Sequence, residues 1–198
     1  MIPPVRMPDP QSILGSLTSG DDQRAEAAIK EIAALGSDAV PLLRRLLSST
    51  ELDARWWAVR ALAEVPSPDV PPLLQEALND PEVSVRQCAA LALSRQPDPQ
   101  AVPDLIASLG HPDRLLARLA ADALIAHGEA AVPGLLDALE NGPPPVRLEA
   151  VRALALIEDQ RAIPALFKIL DEDSALLEYW AETGLDRMGV GMTFFKPD

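Results

Sequence analysis

The sequence is poor in the residues that most often carry chemistry. Its 198 residues include one cysteine, Cys88, and two histidines, His111 and His127. A single cysteine excludes an internal disulfide and a cysteine-rich metal site. Neither histidine has a second histidine or a carboxylate at a spacing that would hold a metal on one helix face. We therefore expect no metal centre, and we expect Cys88 to be packed rather than reactive.

Enzyme motifs are also missing. The chain has no Gly-x-Ser-x-Gly elbow, no Gly-x-x-x-x-Gly-Lys phosphate loop and no Gly-x-Gly-x-x-Gly after a strand. No His-Glu dipeptide occurs, so the paired His-Glu iron ligands of a hydroxylase are also missing. The sequence therefore predicts no catalytic residue and no cofactor.

Positive charge is scarce, with 17 Lys+Arg against 30 Asp+Glu and a net charge of −13. Phosphate binding needs a basic footprint, so we expect no nucleic-acid partner. No apolar run approaches the roughly 18 residues of a membrane span. The start of the chain lacks the apolar core of a signal peptide. These absences predict a cytoplasmic protein without membrane insertion.

Proline, by contrast, is abundant, with 20 residues in the chain. That is about twice the usual frequency. Five prolines follow Ala-Val, Ala-Ile or Asp-Val and lie 30, 32, 30 and 31 residues apart. They are Pro41, Pro71, Pro103, Pro133 and Pro164. Regular spacing at this period is typical of a repeat protein.

A second signature lies 16 or 17 residues before four of these prolines. It is an arginine followed three residues later by an alanine, at Arg24, Arg55, Arg86 and Arg147. The alanines are Ala27, Ala58, Ala89 and Ala150, and the series continues at Ala120 and Ala181. A small residue at a fixed position is typical of closely crossing helices. We interpret the arginines as a ladder of contacts to Asp or Glu between successive repeats, with ligand recognition as the alternative.

Each repeat is expected to contain two helices. Apolar residues at helical spacing form the first helix, and the recurring proline begins the second, since a proline in the first turn removes no helical hydrogen bond. The expected repeats are 21–50, 51–80, 81–111, 112–142 and 143–173. The flanking segments are an incomplete repeat at 8–20, a closing helix at 174–188 and a tail at 189–198.

Residues 80–103 resemble the HEAT-like repeats named after phycobilisome (PBS) lyases. Those units run Asp-Pro-x-Val-Arg-x-x-Ala-x-x-x-Leu, then an Asp-Pro turn, then Ala-Val/Ile-Pro-x-Leu. The resemblance covers about residues 21–188. It implies one domain over residues 1–198, an all-α fold of the armadillo type, and a right-handed α-solenoid of about five to six helix pairs.

The same resemblance implies two functions. The first is a non-catalytic scaffold, adaptor or assembly factor that binds another protein on the concave face, which the second helices line. The alternative is a bilin lyase subunit or a chaperone-like factor acting on phycobiliproteins, which could pair with a similar repeat protein as a heterodimer.

Several residues are candidates for partner binding. Trp56 and Trp57 are adjacent, so on a helix their side chains point about 100° apart and cannot both face the same buried stripe. Trp56 either anchors a partner or covers a neighbouring turn. Outward positions on the second helices change from basic to acidic and back, at Arg44, Arg45, Asp104, Asp137 and Lys168. In the tail, Phe194 and Phe195 either fold back over the last repeat or dock on a partner.

If the signature arginines are structural, replacing Arg86 with alanine lowers the melting temperature of the protein. Thermal unfolding followed by circular dichroism measures this. An unchanged melting temperature together with lost partner binding would instead assign Arg86 to ligand recognition.

Overall fold

The computed structural model describes residues 10–172 and 174–190. These residues form twelve α-helices and no β-strand. The expected all-α class is therefore confirmed. The helices fall into two compact units that divide after Gln96, between two helices of the expected repeat 81–111.

Long and short helices alternate in both units. The first unit contains α1 (Pro10–Leu17), α2 (Asp22–Leu35), α3 (Val40–Leu47), α4 (Leu52–Leu62), α5 (Val70–Ala77) and α6 (Val83–Arg95). The second unit contains α7 (Val102–Ser108), α8 (Arg114–His127), α9 (Val132–Asn141), α10 (Pro144–Ile157), α11 (Ile163–Ile169) and α12 (Ala175–Arg187).

Each recurring proline is the second residue of a short helix. The helices α3, α5, α7, α9 and α11 begin at the valine or isoleucine that precedes it. A proline there keeps a helical φ and removes an N–H that has no acceptor within the helix. The high proline content therefore starts helices rather than breaking them.

Alanine allows the long helices to pack against one another. In the first unit α4 packs on α2 and α6, and in the second unit α10 packs on α8 and α12. The recurring alanines Ala58, Ala89, Ala120, Ala150 and Ala181 have no solvent-exposed surface. A side chain of this size lets neighbouring helix backbones approach, and leucine and valine fill the rest of each core.

The first repeat has a different register from the one expected. Ala27 is exposed, whereas Ala28 is buried and takes the packing position. The arginine position, three residues earlier, is therefore held by the buried Ala25, and Arg24 points to solvent. Ala28 lies as far before Pro41 as Ala58 lies before Pro71. The packing alanines of the other repeats lie 13 or 14 residues before their prolines, so this spacing does not by itself distinguish Ala27 from Ala28.

The other signature arginines bind main-chain carbonyls at or just after the end of the short helix that precedes them. Arg55 donates to the carbonyls of Ser49 and Thr50, in the loop after α3, at 3.1 and 3.2 Å. Arg86 donates to the carbonyls of Asp80 and Pro81, in the loop after α5. A loop carbonyl has no partner within a helix, so a guanidinium placed there satisfies it.

Arg147 follows the same rule, since its Nε donates to the carbonyl of Leu139 at 2.8 Å. These bonds tie a long helix to the short helix before it. These arginines donate to main-chain carbonyls because the preceding helix ends beside the start of the next one. The expected contacts to carboxylates are also present, at Arg55 and Arg147, although each lies within one expected repeat rather than between two.

Carboxylates pair with these arginines inside a single expected repeat. Arg55 binds Asp80 through two hydrogen bonds of 2.7 and 3.0 Å, and both side chains are about nine-tenths buried. Arg147 binds Glu172 at 2.6 Å. In an antiparallel helix pair the end of the second helix returns to the start of the first, which brings these partners together.

Ion pairs between successive long helices use arginines that the repeat signature does not contain. In the first unit Arg60 bridges Glu26 and Glu64, and Arg95 also binds Glu64. Hydrogen bonds from Arg60 and Arg95 lower the pKa of Glu64.

In the second unit the buried Arg152 binds Asp122 at 2.8 Å and Glu149 at 2.9 Å. The repeat signature does not reveal these ion pairs, because each one depends on how one long helix faces the next.

Asp80 makes the stability of the first unit dependent on pH. Burial raises the pKa of its carboxyl, but hydrogen bonds from Arg55 and the Glu82 amide hold the pKa below its ordinary value. A depressed pKa in the folded state means that the carboxylate stabilises the fold above the unfolded pKa of about 3.9. This stabilisation is lost as the pH falls below that value and through the folded pKa.

Asp80→Asn is therefore expected to lower the free energy of unfolding by about 1–3 kcal/mol near neutral pH. The difference from the wild-type protein shrinks as the pH falls, and urea unfolding at a series of pH values measures it. Asp137→Asn, at an exposed position, is the control and leaves stability unchanged. A difference that stays constant down to acid pH would contradict this assignment.

Candidate functional site

An open cleft of about 930 Å³ lies in the first unit. Its walls come from α2, from α4 and from the loops that lead into these two helices. Both loops follow a shorter helix, so the cleft opens where one helix pair ends and the next begins. The antiparallel arrangement therefore places helix starts, rather than helix middles, around this space.

Two tryptophans form one wall of the cleft. Trp57 is about nine-tenths buried, whereas Trp56 is only half-buried. Their rings meet edge to face, with centroids 4.9 Å apart and planes at 89°. This arrangement is a favourable aromatic geometry, and it supports the more exposed ring of Trp56 on the buried ring of Trp57.

Four carboxylates share the cleft with these rings. Asp22 and Glu26 lie one turn apart on α2, while Glu51 and Asp53 lie at the start of α4. No lysine or arginine is among the described residues that line it. Outside the cleft, Arg60 reaches Glu26 at 3.3 Å.

The basic candidates on α3 lie apart from this site. Arg44 and Arg45 are exposed, and neither lines the cleft. Of α3, only Leu46 contributes to its wall. The structure therefore joins Trp56 to acidic groups and not to the expected arginines.

A smaller cavity of about 340 Å³ lies in the second unit, against α9, α10 and α11. The candidate Lys168 lines it together with Arg147 and Arg161, and Glu140 and Glu172 add negative charge. Sequence patterns did not indicate Arg161, because it precedes the recurring proline rather than belonging to a helix face.

Local pairing limits the free positive charge of this cavity. Arg161 binds Asp159 at 2.6 Å, and it also donates to the carbonyl of Glu129. The side-chain and backbone hydrogen bonds from Arg161 lower the pKa of Asp159 to about 2. With Arg147 bound to Glu172, Lys168 is the cation here that has no ion pair among the described residues.

The remaining candidates do not gather at either cavity. Asp104 is half-buried on α7, and Asp137 is exposed on α9, where it accepts a hydrogen bond from Asn141. Phe194 and Phe195 lie outside the described residues. Tyr179 is 58% exposed on α12, so it does not cap the core at this end of the second unit.

The chemically reactive residues have packing roles. Cys88 is buried, and burial raises the pKa of its thiol to about 11, so the nucleophilic thiolate is suppressed. His127 ends α8 rather than lying in a turn, and its ring bonds the carbonyl of Ala123 and the amide of Asp98. Within residues 10–172 and 174–190, no three His, Cys, Asp or Glu side chains are grouped to hold a metal ion.

Over the part of the chain that the structure describes, no helix has both the length and the apolar character needed to cross a membrane.

Family comparison identifies the repeat. A family model described as HEAT repeats matches residues 12–94, 50–125, 70–143 and 102–186. The chain belongs to the HEAT-repeat family. The overlapping matches span nearly all of the helical region, and the α-solenoid class that the resemblance implied is confirmed.

Solved structures of other repeat proteins are similar to this HEAT-repeat protein. The complex of CpcE and CpcF of phycocyanin lyase from Nostoc sp. PCC7120 matches with a TM-score of 0.54 and 26% identity, over 95% of this chain and 80% of that chain. An engineered protein matches with a TM-score of 0.54 and 23% identity, over 93% and 98% of the two chains.

A designed armadillo repeat protein in complex with the peptide (KR)4 has a TM-score of 0.51 and 19% identity, over 90% of this chain and 98% of that one. No curated protein matches the sequence. Structures at this distance show a shared fold and leave the binding function to the site.

Proposed function

We propose that this HEAT-repeat protein is a non-catalytic scaffold, adaptor or assembly factor that binds another protein. The observation that carries the proposal is the cleft of the first unit, where the half-buried ring of Trp56 is held against Trp57 beside a concave surface. Tryptophan in such a position is the residue type most enriched among the energetic anchors of protein interfaces.

The lining of the cleft favours binding over catalysis. It contains hydroxyl groups on Thr18, Ser49 and Ser84, but no histidine or cysteine is among its described residues. A serine nucleophile needs an adjacent general base and a group that orients that base. The hydroxyls therefore serve as hydrogen-bonding groups in this proposal.

The similarity to CpcE and CpcF supports protein partners in general, since the similar structure is itself a complex of two chains. The peptide complex of the designed armadillo repeat protein is a further example of a helical repeat bound to a polypeptide. We place this chain in the cytoplasm as part of the proposal, and a similar repeat protein remains a candidate partner.

Trp56→Ala is expected to reduce partner binding at least tenfold, because truncating an interface tryptophan commonly costs about 2 kcal/mol or more. The tagged protein is used to capture partners from cells of the source organism, and mass spectrometry quantifies each captured protein. Tyr179→Ala is the matched control, since Tyr179 holds the equivalent repeat position on α12. Equal capture by the wild-type protein and Trp56→Ala would show that the cleft does not bind the partner.

The similarity to phycocyanin lyase subunits also supports a second function, a bilin lyase subunit or a chaperone-like factor for phycobiliproteins of the PBS lyase type. The propionates of a bilin call for cations, and the cavity beside Lys168 is where this chain offers them. Its volume of about 340 Å³ lies near the lower end of the roughly 300–1,000 Å³ of small-molecule pockets.

Visible absorption of a bilin mixed with the purified protein separates the two functions. A red-shifted and stable complex that is lost in Lys168→Gln supports the lyase function. An unchanged spectrum supports the scaffold.

A further inference from the structure

We infer that the cleft of the first unit is a docking site for a basic peptide segment, in which arginine or lysine side chains meet the carboxylates and the tryptophan rings. This inference rests on the proposed function and specifies the chemistry of the partner. The acidic side of the cleft, the half-buried indole of Trp56 and the unpaired indole N–H of Trp57 each point to one part of such a segment.

Charge is the first part. Asp22 and Glu26 face the cleft from α2, and Glu51 and Asp53 face it from α4. Arg60 pairs with Glu26 from outside the cleft. Asp22, Glu51 and Asp53, by contrast, have no ion pair among the described residues. A cation bound between the two helices meets these three carboxylates.

The helices themselves account for only part of this acidity. Asp22 and Asp53 lie in first turns, where the positive end of a helix favours an acidic side chain. Glu51 precedes α4, but its side chain accepts no capping hydrogen bond from the helix. Glu26 lies beyond the first turn of α2. Glu51 therefore keeps a carboxylate that the fold itself does not use.

The aromatic wall is the second part. A guanidinium or ammonium group close to the face of an indole is attracted by the ring, and Trp is the strongest of the aromatic residues in this respect. Asp53 precedes Trp56 and Trp57 by three and four residues on α4, so its carboxylate is on the helix face of the rings. One arginine can thus stack on a ring while it pairs with a carboxylate.

The indole N–H of Trp57 is the third part. It has no hydrogen-bond partner among the described residues, although the residue is about nine-tenths buried. No enclosed side-chain nitrogen or oxygen in the described part of the chain is left without a partner. This N–H is therefore not fully enclosed, and its residue lines the cleft.

An unpaired donor on a residue of an acidic cleft favours a peptide over a simple cation. The N–H offers a bond to a main-chain carbonyl, which a polyamine or a metal ion does not have. Leu46 and Leu52 line the same cleft, and they provide apolar contact for the aliphatic stems of lysine and arginine. A volume of about 930 Å³ has room for several such residues.

The test uses a capped hexa-arginine peptide and the fluorescence of the two cleft tryptophans. Trp180→Phe, outside the cleft, serves as the background so that the signal comes from Trp56 and Trp57. We expect saturable binding that weakens as NaCl is raised, because opposite charges meet at the surface of the cleft. A hexa-citrulline peptide, which has a similar shape without charge, is expected to bind at least tenfold more weakly.

The double variant Glu51→Gln/Asp53→Asn is expected to weaken hexa-arginine binding at least tenfold. The matched control is Asp137→Asn/Glu140→Gln, which changes the net charge equally at exposed positions of the second unit. Thermal unfolding of both variants checks that they fold. Equal losses in the two variants would show a response to total charge and would overturn the site, as would unchanged binding in the cleft variant. Displacement of the peptide by spermine at the same concentration of charge would overturn peptide recognition.

The outcomes also separate this inference from the proposed function. If the wild-type protein captures a partner through Trp56 but the peptide does not bind, the docking function stands and the basic segment is wrong. If the peptide binds to the cleft as described, the inference holds even where no cellular partner is captured.

Discussion

Close packing of the long helices through alanine is the constraint on which the rest of the structure depends. At the packing position the side chain has no exposed surface, as at Ala58 in the first unit and Ala150 in the second. The distance between helices is equally tight at Gly184 of α12, where an added Cβ would lie 2.9 Å from the Cα of Ala155. A larger residue at such a position forces the helices apart and disturbs every side chain beside them.

This constraint also decides which side chains remain available for binding. Because Ala58 faces the core of the first unit, the preceding Trp57 is buried and Trp56, one residue earlier, is only half-buried. The cleft is therefore a consequence of helix packing, and its aromatic wall is rigid because the core holds Trp57.

Charge is used in two different ways in this protein. Most described arginines are paired, either with main-chain carbonyls of a loop, as at Arg55, or with carboxylates across helices, as at Arg152. Paired groups stabilise the fold and contribute little to recognition. The cleft carboxylates Asp22, Glu51 and Asp53 differ because they have no ion pair among the described residues, so their charge is available to a partner.

Arg55 illustrates why a repeated residue can be recognised from the sequence while its contacts cannot. The repeat spacing identifies Arg55 as structural in type, but its acceptors are Ser49, Thr50 and Asp80, which come from both sides of it in the chain. Arg24 shows the opposite case. It matches the spacing but is exposed, because the packing alanine of its helix is one residue later than the pattern suggested.

The sequence by itself determined the helices, the repeat period and the family. These follow from interactions within one or two turns, such as proline at a helix start and apolar residues on one face, so they can be read locally. Only the tertiary structure decided that Trp56 lies with Glu26 and Glu51 rather than with Arg44. That grouping depends on how separate helices cross, and a shift of one residue, as at Ala28, changes which side chains meet.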